Sequence, residues 1–336
     1  MKIGYALKRL FHLDFGRTGE MIRRTAEKSG KNRLWIVLDM IYSGFAYGAG
    51  PNDYELFEFY NLPHKNRKTY ITRGVNNALV KKFNDKAYWH YFDNKDDFNR
   101  AFAKFVSRHW VTTRDMTEES FADLFDSCRE IIYKPIDGTC GKQVEKYVTA
   151  DQNREELFQL LKEKPSGIVE EVVVQHPEMA AVYPLSVNTV RVVTIFQNGV
   201  CTPVFAFWRI GAGGACVDNL NSGGMAAMLD LKDGRITLPA ADKNGVVYEK
   251  HPYTGHPIVG FRIPCWDRVL ETVDEASRVI PQVGYVGWDV CVREKDILLI
   301  EGNAYPGHDI LQLPAYTPDK IGLMSRVEKF YRGEKE

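Results

Sequence analysis

Two apolar runs near the C-terminal end constrain this chain more than any other feature: Gly287-Trp288-Asp289-Val290-Cys291-Val292 and Ile297-Leu298-Leu299-Ile300-Glu301-Gly302-Asn303. Each carries one acid in a run of strand-forming residues, which predicts two adjacent strands. Residues i and i+2 of a strand face the same side, so Glu301 and Asn303 point into one site and Asp289 meets them from the neighbouring strand. Two carboxylates and an amide oxygen form a hard-oxygen set suited to Mg²⁺. Taken alone, the pattern also fits a hairpin whose strand ends hold solvated acids.

The chain has 336 residues with 44% hydrophobic content, enough for a sizeable core and two or three lobes. Its 44 basic and 44 acidic residues balance, so no overall field steers it to nucleic acid. The six cysteines are scattered without a C-x-x-C pair, which argues against zinc or redox motifs and fits a reducing compartment. No apolar run reaches the roughly 18 residues that span a bilayer. Lys8 and Arg9 interrupt the first apolar stretch, so it is a poor secretory signal and a cytoplasmic location is expected. Residues 1–33 nevertheless hold nine Lys and Arg against three acids, with Ile3, Leu7, Leu10 and Phe11 at helical spacing. The stretch reads either as an ordinary packed surface helix or as a basic amphipathic helix at the inner face of an anionic membrane.

Along the chain, residues 1–85 read as mainly helical, broken by the Gly-rich segment 44–51 and by Leu62-Pro63-His64. Helical patterns follow over 96–108 and 118–130, the second with Thr117 and Ser120 as its cap region, and over 153–164. Strands are expected at 130–134, 144–148, 168–175, 189–196, 200–210 and 228–231. Asn198-Gly199 is a two-residue hairpin signal between two of them. A helix is expected over 266–280, and the tail 326–336 is charged and expected to fray.

Several residues are suited to handling phosphate. Lys134 stands at a strand end, followed by a loop over 137–142 in which Gly138 and Gly141 let backbone N–H groups approach an anion. The spacing is not that of a Walker loop, and a glycine hairpin with a solvated lysine has the same composition. The extended run from Ile168 to Gln175, which includes Glu170, Glu171 and Val172, offers backbone groups to the edge of a purine. Glu171 and Glu178 are candidates for adenosine-side contacts, although an ordinary strand has this appearance too. Arg191 opens an apolar strand and needs an anionic partner there. Asp218 to Gly224 is a polar loop ending in glycines, suited either to closing over phosphate or to a plain turn. Lys86 is a second candidate phosphate lysine, or a solvated one.

A lysine, a lysine-plus-glycine loop, an acid beyond a strand, a strand arginine and then Asp…Glu-x-Asn, in this order, resemble the ATP-grasp superfamily. Its members include glutathione synthetase-like and D-alanine–D-alanine ligase-like enzymes. The resemblance is closest to the sugar-transfer-associated ATP-grasp proteins, through Val187-Asn188-Thr189-Val190-Arg191, Asp218-Asn219 with Gly223-Gly224, and Ile300-Glu301-Gly302-Asn303. It covers roughly residues 84–315. It implies an α+β fold of two lobes clasping ATP, with a mainly helical region in front in place of the Rossmann-like domain of many relatives. The implied divisions are 1–85, a lobe with the phosphate-covering loop over 86–180, a lobe with the Mg²⁺ and acceptor site over 181–325, and the tail 326–336. The implied roles are catalytic for Arg191, Asn219 and Lys134, and nucleotide-binding for Lys86, Lys134, Gly138, Thr139, Gly141, Glu170, Glu171, Val172 and Glu178. Asp289, Glu301 and Asn303 would hold Mg²⁺. The implied reaction joins a small-molecule carboxylate to an amine at the expense of ATP, with a sugar acid or a lipid-linked saccharide as a candidate substrate in surface polysaccharide or glycoconjugate assembly. A kinase, or a nucleotide-binding scaffold for glycosyltransferases, are the alternatives.

Overall fold

The computed structural model of the chain describes residues 15–136 and 143–332. Of these, the residues within Met1–Lys82 and Gly307–Glu336 form one compact unit, and those within Phe83–Pro306 form the other. The basic segment's Ile3, Leu7, Leu10 and Phe11, and the loop with Gly138, Thr139 and Gly141, lie outside the described residues.

The first unit is helical because its sequence supplies starts and stops for helices. The helix Arg33–Tyr47 is opened by Asn32, whose side chain accepts the Leu34 N–H at 2.8 Å, and is closed by Gly48 in the left-handed region. The helix Phe15–Ser29 precedes it, and Met21, Ile36, Met40, Tyr54, Phe57 and Phe59 are buried in one core. Two acids tie loops to this core. Asp39 takes a two-pronged contact from Arg67 at 2.7 and 2.9 Å and the Tyr54 hydroxyl at 2.7 Å. Asp53 accepts from the Gly50 and Arg73 N–H groups, each at 2.8 Å. Of the tail 326–336, expected to fray, the described residues are helical. Met324–Arg332 is a helix, because Val327 and Phe330 fall on one side of it and are buried.

The second unit holds two antiparallel sheets. The smaller comprises β1 (Trp110–Thr112), β2 (Glu130–Pro135), β3 (Glu145–Val148) and β4 (Gly167–Glu171), in the order β1-β4-β2-β3. The helices Glu118–Ser127 and Arg154–Glu163 contribute Phe121, Leu124, Leu157 and Leu161 to the same core as Ile131 and Val169. Thr117 and Ser120 form the reciprocal cap expected of them. The expected strand 168–175 ends at Glu171. Beyond it the chain leaves this sheet, and the His176 N–H donates to the Val292 carbonyl at 2.7 Å.

The larger sheet comprises β5 (Val190–Gln197), β6 (Val200–Ile210), β7 (Met225–Leu229), β8 (Ala240–Asp242), β9 (Val247–Tyr248), β10 (Tyr285–Val292) and β11 (Ile297–Asn303). Its order is β11-β10-β5-β6-β7-β8-β9. Asn198 and Gly199 both adopt positive φ, 54° and 79°, the turn that matches strand twist in a two-residue hairpin. Alternation divides the sheet's faces. Val190, Val192, Trp208 and Trp288 pack with Val269 and Val273 of the helix Trp266–Ser277, which leaves Arg191, Arg209 and Asp289 on the opposite face.

A buried polar clasp fixes how the chain enters β5. The Gln175 side chain accepts the Asn188 N–H at 2.9 Å and donates to the Ser186 carbonyl at 2.7 Å. Asn188 in turn accepts the Gly211 N–H at 3.0 Å and donates to the Tyr183 carbonyl at 2.7 Å. Every partner here is buried, so removing one strands the others without water. We predict that Asn188→Ala lowers stability by on the order of 3 kcal/mol, because the Gly211 N–H and the Gln175 amide both lose partners. Denaturant unfolding measures this, and a loss below about 1 kcal/mol would contradict the clasp.

Candidate active site

Adjacent strands assemble the polar face. Asp289 on β10 stands opposite Glu301 on β11 and opposite Arg191 on β5, so one row across three strands reads Glu301–Asp289–Arg191. The neighbouring row pairs Gly287 with Asn303. A Cβ at Gly287 would lie 3.2 Å from Arg191 Cδ and 3.2 Å from Pro306 Cβ, so the glycine leaves the space in which the arginine lies. The expected meeting of Asp289 and Glu301 across a hairpin is therefore present, with Asn303 on the same side.

Arg191 clamps both oxygens of Asp289, through Nε and through Nη2 at 2.6 Å, and its Nη2 lies 3.8 Å from Glu301 Oε1. A second arginine, Arg209 on β6, completes the arrangement. Its Nη1 donates to Asp289 Oδ2 at 2.6 Å and its Nη2 reaches Asp218 Oδ1 at 2.9 Å. Asp218 also accepts from the Thr189 N–H at 2.9 Å and from the Thr189 hydroxyl. A continuous chain of charges thus runs Asp218–Arg209–Asp289–Arg191–Glu301. Only its last member is open to solvent: the Arg191 and Arg209 side chains are 10% and 13% exposed, that of Glu301 50%.

Burial works against the charge on Asp289, but Arg191 and Arg209 outweigh it and hold its carboxyl well below the ordinary range. At Asp218 desolvation wins over Arg209 and pushes the carboxyl up. Glu301 is also pushed up, by desolvation and by the Asp289 carboxylate beside it. Crowded carboxylates of this kind are what a divalent cation relieves. On Asp289 the arginines occupy three of about four acceptor sites and the Glu301 side chain bonds to the same carboxylate, so a cation would take the place of that last contact. Asn303 Oδ1 accepts the Tyr305 N–H at 2.8 Å and keeps its second lone pair. The residues present therefore fit Mg²⁺, with Glu301 as the most accessible donor. Among the described residues there is no group of three or more His, Cys, Asp or Glu placed to hold a metal ion.

The smaller sheet carries a second charged cluster. Glu170 on β4 is buried between Lys134 on β2 and Arg108, whose Nε donates to it at 2.9 Å. Arg108 Nη1 also donates to the Leu299 carbonyl of β11 at 2.8 Å, linking the two sheets. Glu170, a nucleotide-binding candidate by the resemblance, is here the counter-ion of Lys134. Burial alone would raise its carboxyl, but Arg108 and Lys134 bring it down to about 2. Glu171, next along, is half-buried and accepts the His109 N–H at 3.3 Å. The Val172 N–H, expected to face a purine, donates to the Glu130 carbonyl at 3.1 Å.

The other candidates are dispersed. Lys86 is exposed, with its ammonium 5.7 Å from the centre of the Trp89 ring. Lys95 instead reaches the carbonyls of Pro135 and Ile136 at 3.0 and 3.3 Å, immediately before the loop 137–142. Asn219 caps its own turn by accepting the Asn221 N–H at 2.9 Å, and it is the adjacent Asp218 that joins the charged chain. Glu178 is exposed and lines a cleft with Lys232, Arg262 and Trp266, none of which belongs to the cluster around Asp289.

The chain belongs to the sugar-transfer associated ATP-grasp family, whose sequence profile matches residues 74–331. Its architecture is accordingly the α+β ATP-grasp fold, preceded by a helical region. No curated protein matches the sequence. Similar solved structures include the ATP-grasp ligase PsnB complexed with a minimal precursor, at 12% identity and TM-score 0.42, covering 73% of this chain and 64% of that one. D-alanyl-alanine synthetase A from Vibrio cholerae O1 is similar at 12% identity and TM-score 0.43, over 72% of this chain and 64% of that one. L-amino acid ligase from Bacillus licheniformis is similar at 12% identity and TM-score 0.41, over 68% and 48%. This chain thus spans less than two thirds of each of these proteins.

The Glu170 cluster yields a stability prediction. Its folded pKa, about 2, lies below the ordinary 4.5, so its contribution is fully present above pH 4.5 and is lost as pH falls towards 2. Glu170→Gln leaves two buried cations without their carboxylate and should cost about 3–5 kcal/mol at neutral pH. The variant should also lose part of the acid-dependent slope, measured by denaturant unfolding at stepped pH. An unchanged slope would mean that Glu170 does not titrate with folding.

Proposed function

We propose that this protein is an ATP- and Mg²⁺-dependent carboxylate–amine ligase. The observation that carries the reading is the half-exposed end of the charged chain, where Glu301 and Asn303 stand beside a guanidinium held in place by Asp289. Nucleotide phosphates need fixed cations and a divalent ion, and this sheet face offers guanidiniums beside the carboxylate and amide oxygens that would hold one. Bound Mg²⁺ would neutralise charge on the β- and γ-phosphates. The protein's own part is positioning. Lys134 and the backbone of the loop 137–142 would hold the nucleotide phosphates, with Lys95 beside them, and Arg191 would orient the transferred group.

In this scheme an oxygen of the substrate carboxylate attacks the γ-phosphorus and ADP leaves. The amine nitrogen then attacks the acyl carbon, the acyl–oxygen bond to phosphate breaks, and the amine's proton passes to solvent. The products are an amide, ADP and phosphate. A serine or histidine nucleophile has no role. The family's association with sugar transfer favours a sugar acid, free or lipid-linked, as the carboxylate substrate in polysaccharide or glycoconjugate assembly at the cytoplasmic side of a membrane. The nine basic residues of segment 1–33 suit contact with an anionic surface there.

The deciding experiment incubates the protein with ATP, Mg²⁺ and arrays of sugar acids and amines, and reads product masses. An amide with stoichiometric ADP supports the proposal; a stable phosphoester would make the protein a kinase, and nucleotide binding without turnover a scaffold. Glu301→Gln should lower turnover by about 10²–10³-fold with the fold retained, whereas Asp289→Asn leaves two buried guanidiniums without their carboxylate and should cost about 3–5 kcal/mol of stability as well as turnover. Lys134→Ala should weaken ATP more than AMP in calorimetry, and equal losses would remove Lys134 from the distal phosphates.

A further inference from the structure

The helix Arg33–Tyr47 is unusual for a surface element. Ile36, Met40 and Ser43 turn inwards, while Leu34, Trp35, Leu38, Ile41, Tyr42 and Phe45 form a continuous stripe on its outer side. The stripe is open: Leu34 and Leu38 are 67% and 59% exposed. An exposed leucine is ordinary, but six large apolar side chains at spacings of three and four along one helix are not. The only charges on the helix are Arg33 at its start and Asp39, which is engaged by Arg67. Nothing polar therefore interrupts the stripe.

The surroundings of the stripe are basic. At its beginning stand Arg33, exposed, and Lys31, whose ammonium lies 4.0 Å from the centre of the Trp35 ring. At its far end Tyr42 packs against His64, ring centres 5.2 Å apart, and the exposed Lys65 and Lys68 follow in the chain. In the same unit Glu55 is paired with Arg24 and Glu58 with Lys28. Cations at both ends of an apolar, aromatic-containing stripe complement an anionic lipid surface, where the ring of Trp35 sits at headgroup depth and lysines meet phosphates. A second copy of the chain would bring the same cations face to face with each other, which disfavours self-association through this face. Among the described residues, no helix is long and apolar enough to cross a membrane, so the contact is one of lying on the surface.

We infer that the helix Arg33–Tyr47 is a monotopic membrane-binding element, its outer face lying in the interface of an anionic bilayer. Its apolar stripe lies beyond the basic residues 1–33, which it meets only at Lys31 and Arg33, and the inference stands whether or not the protein is a ligase. The test uses the full chain with vesicles of phosphatidylcholine alone and of phosphatidylcholine mixed with phosphatidylglycerol. The protein should sediment with the anionic vesicles only, with a blue shift in tryptophan emission that Trp35→Phe removes. Leu38→Glu should weaken sedimentation about tenfold, and Lys65→Glu with Lys68→Glu should weaken it most at low salt. Because these positions are exposed, thermal unfolding of the variants should match the parent.

Other results would overturn the inference. Leu38→Glu sedimenting like the parent would assign binding to residues 1–33 alone. A dimer in light scattering that Leu38→Glu splits would assign the stripe to a second copy. A variant that folds with much reduced stability would show that residues of the same chain cover the stripe.

Discussion

The Arg191–Asp289 pair is the constraint on which the second unit's polar face depends. Two charges stripped of water cost several kcal/mol each, and their attraction repays this only with good geometry and further hydrogen bonds. The cross-strand register supplies the geometry, and Arg209 supplies the further bonds. Arg209 would itself be an uncompensated charge without Asp218, which in turn needs Thr189. Each member is tolerable only because its neighbour is present, so the row behaves as one unit. Three carboxylates face two guanidiniums along it, and the surplus negative charge falls at Glu301, the end open to solvent. The electrostatic balance of the buried part thus prepares attraction for a cation at one edge.

The scaffold beneath this row is apolar on one side and polar-clasped at its entrance. Trp208 and Trp288 hold the sheet to the helix Trp266–Ser277. The Gln175–Asn188 clasp fixes the start of β5, so that Arg191, three residues on, emerges on the correct face. On the smaller sheet, Arg108 ties Glu170 to the backbone of β11, which places the lysine cluster and the carboxylate hairpin under a common restraint.

What was legible in the sequence was what is local. Alternation along 287–303 gave the hairpin and the shared side of Asp289, Glu301 and Asn303. Asn198-Gly199 gave the β5–β6 turn, and Thr117 gave a helix cap. The charged partners were hidden because their pairing is set by register between distant segments. Arg209 meets Asp289 across 80 residues and Arg108 meets Glu170 across 62. Arg209 had a faint signal, being the lone charge in an eleven-residue strand. Glu170 and Glu171 could not be told apart without knowing which side of β4 faces the sheet's interior. The C-terminal helix was misread because its charges concealed two apolar residues, Val327 and Phe330, at helical spacing.

The two-residue turn at Asn198-Gly199 has a consequence for the order of assembly. It brings Arg191 and Arg209 onto one face through a hairpin that closes locally, whereas Asp289 is 98 residues from Arg191. Chain-closure entropy favours the hairpin first. A nascent β5–β6 ribbon would therefore carry two unpaired guanidiniums side by side, a repulsion that docking of β10 removes. β10 brings Asp289 directly opposite Arg191. The charges that later serve the site would thus act earlier as a proofreading device for strand order, favouring a partner that neutralises them.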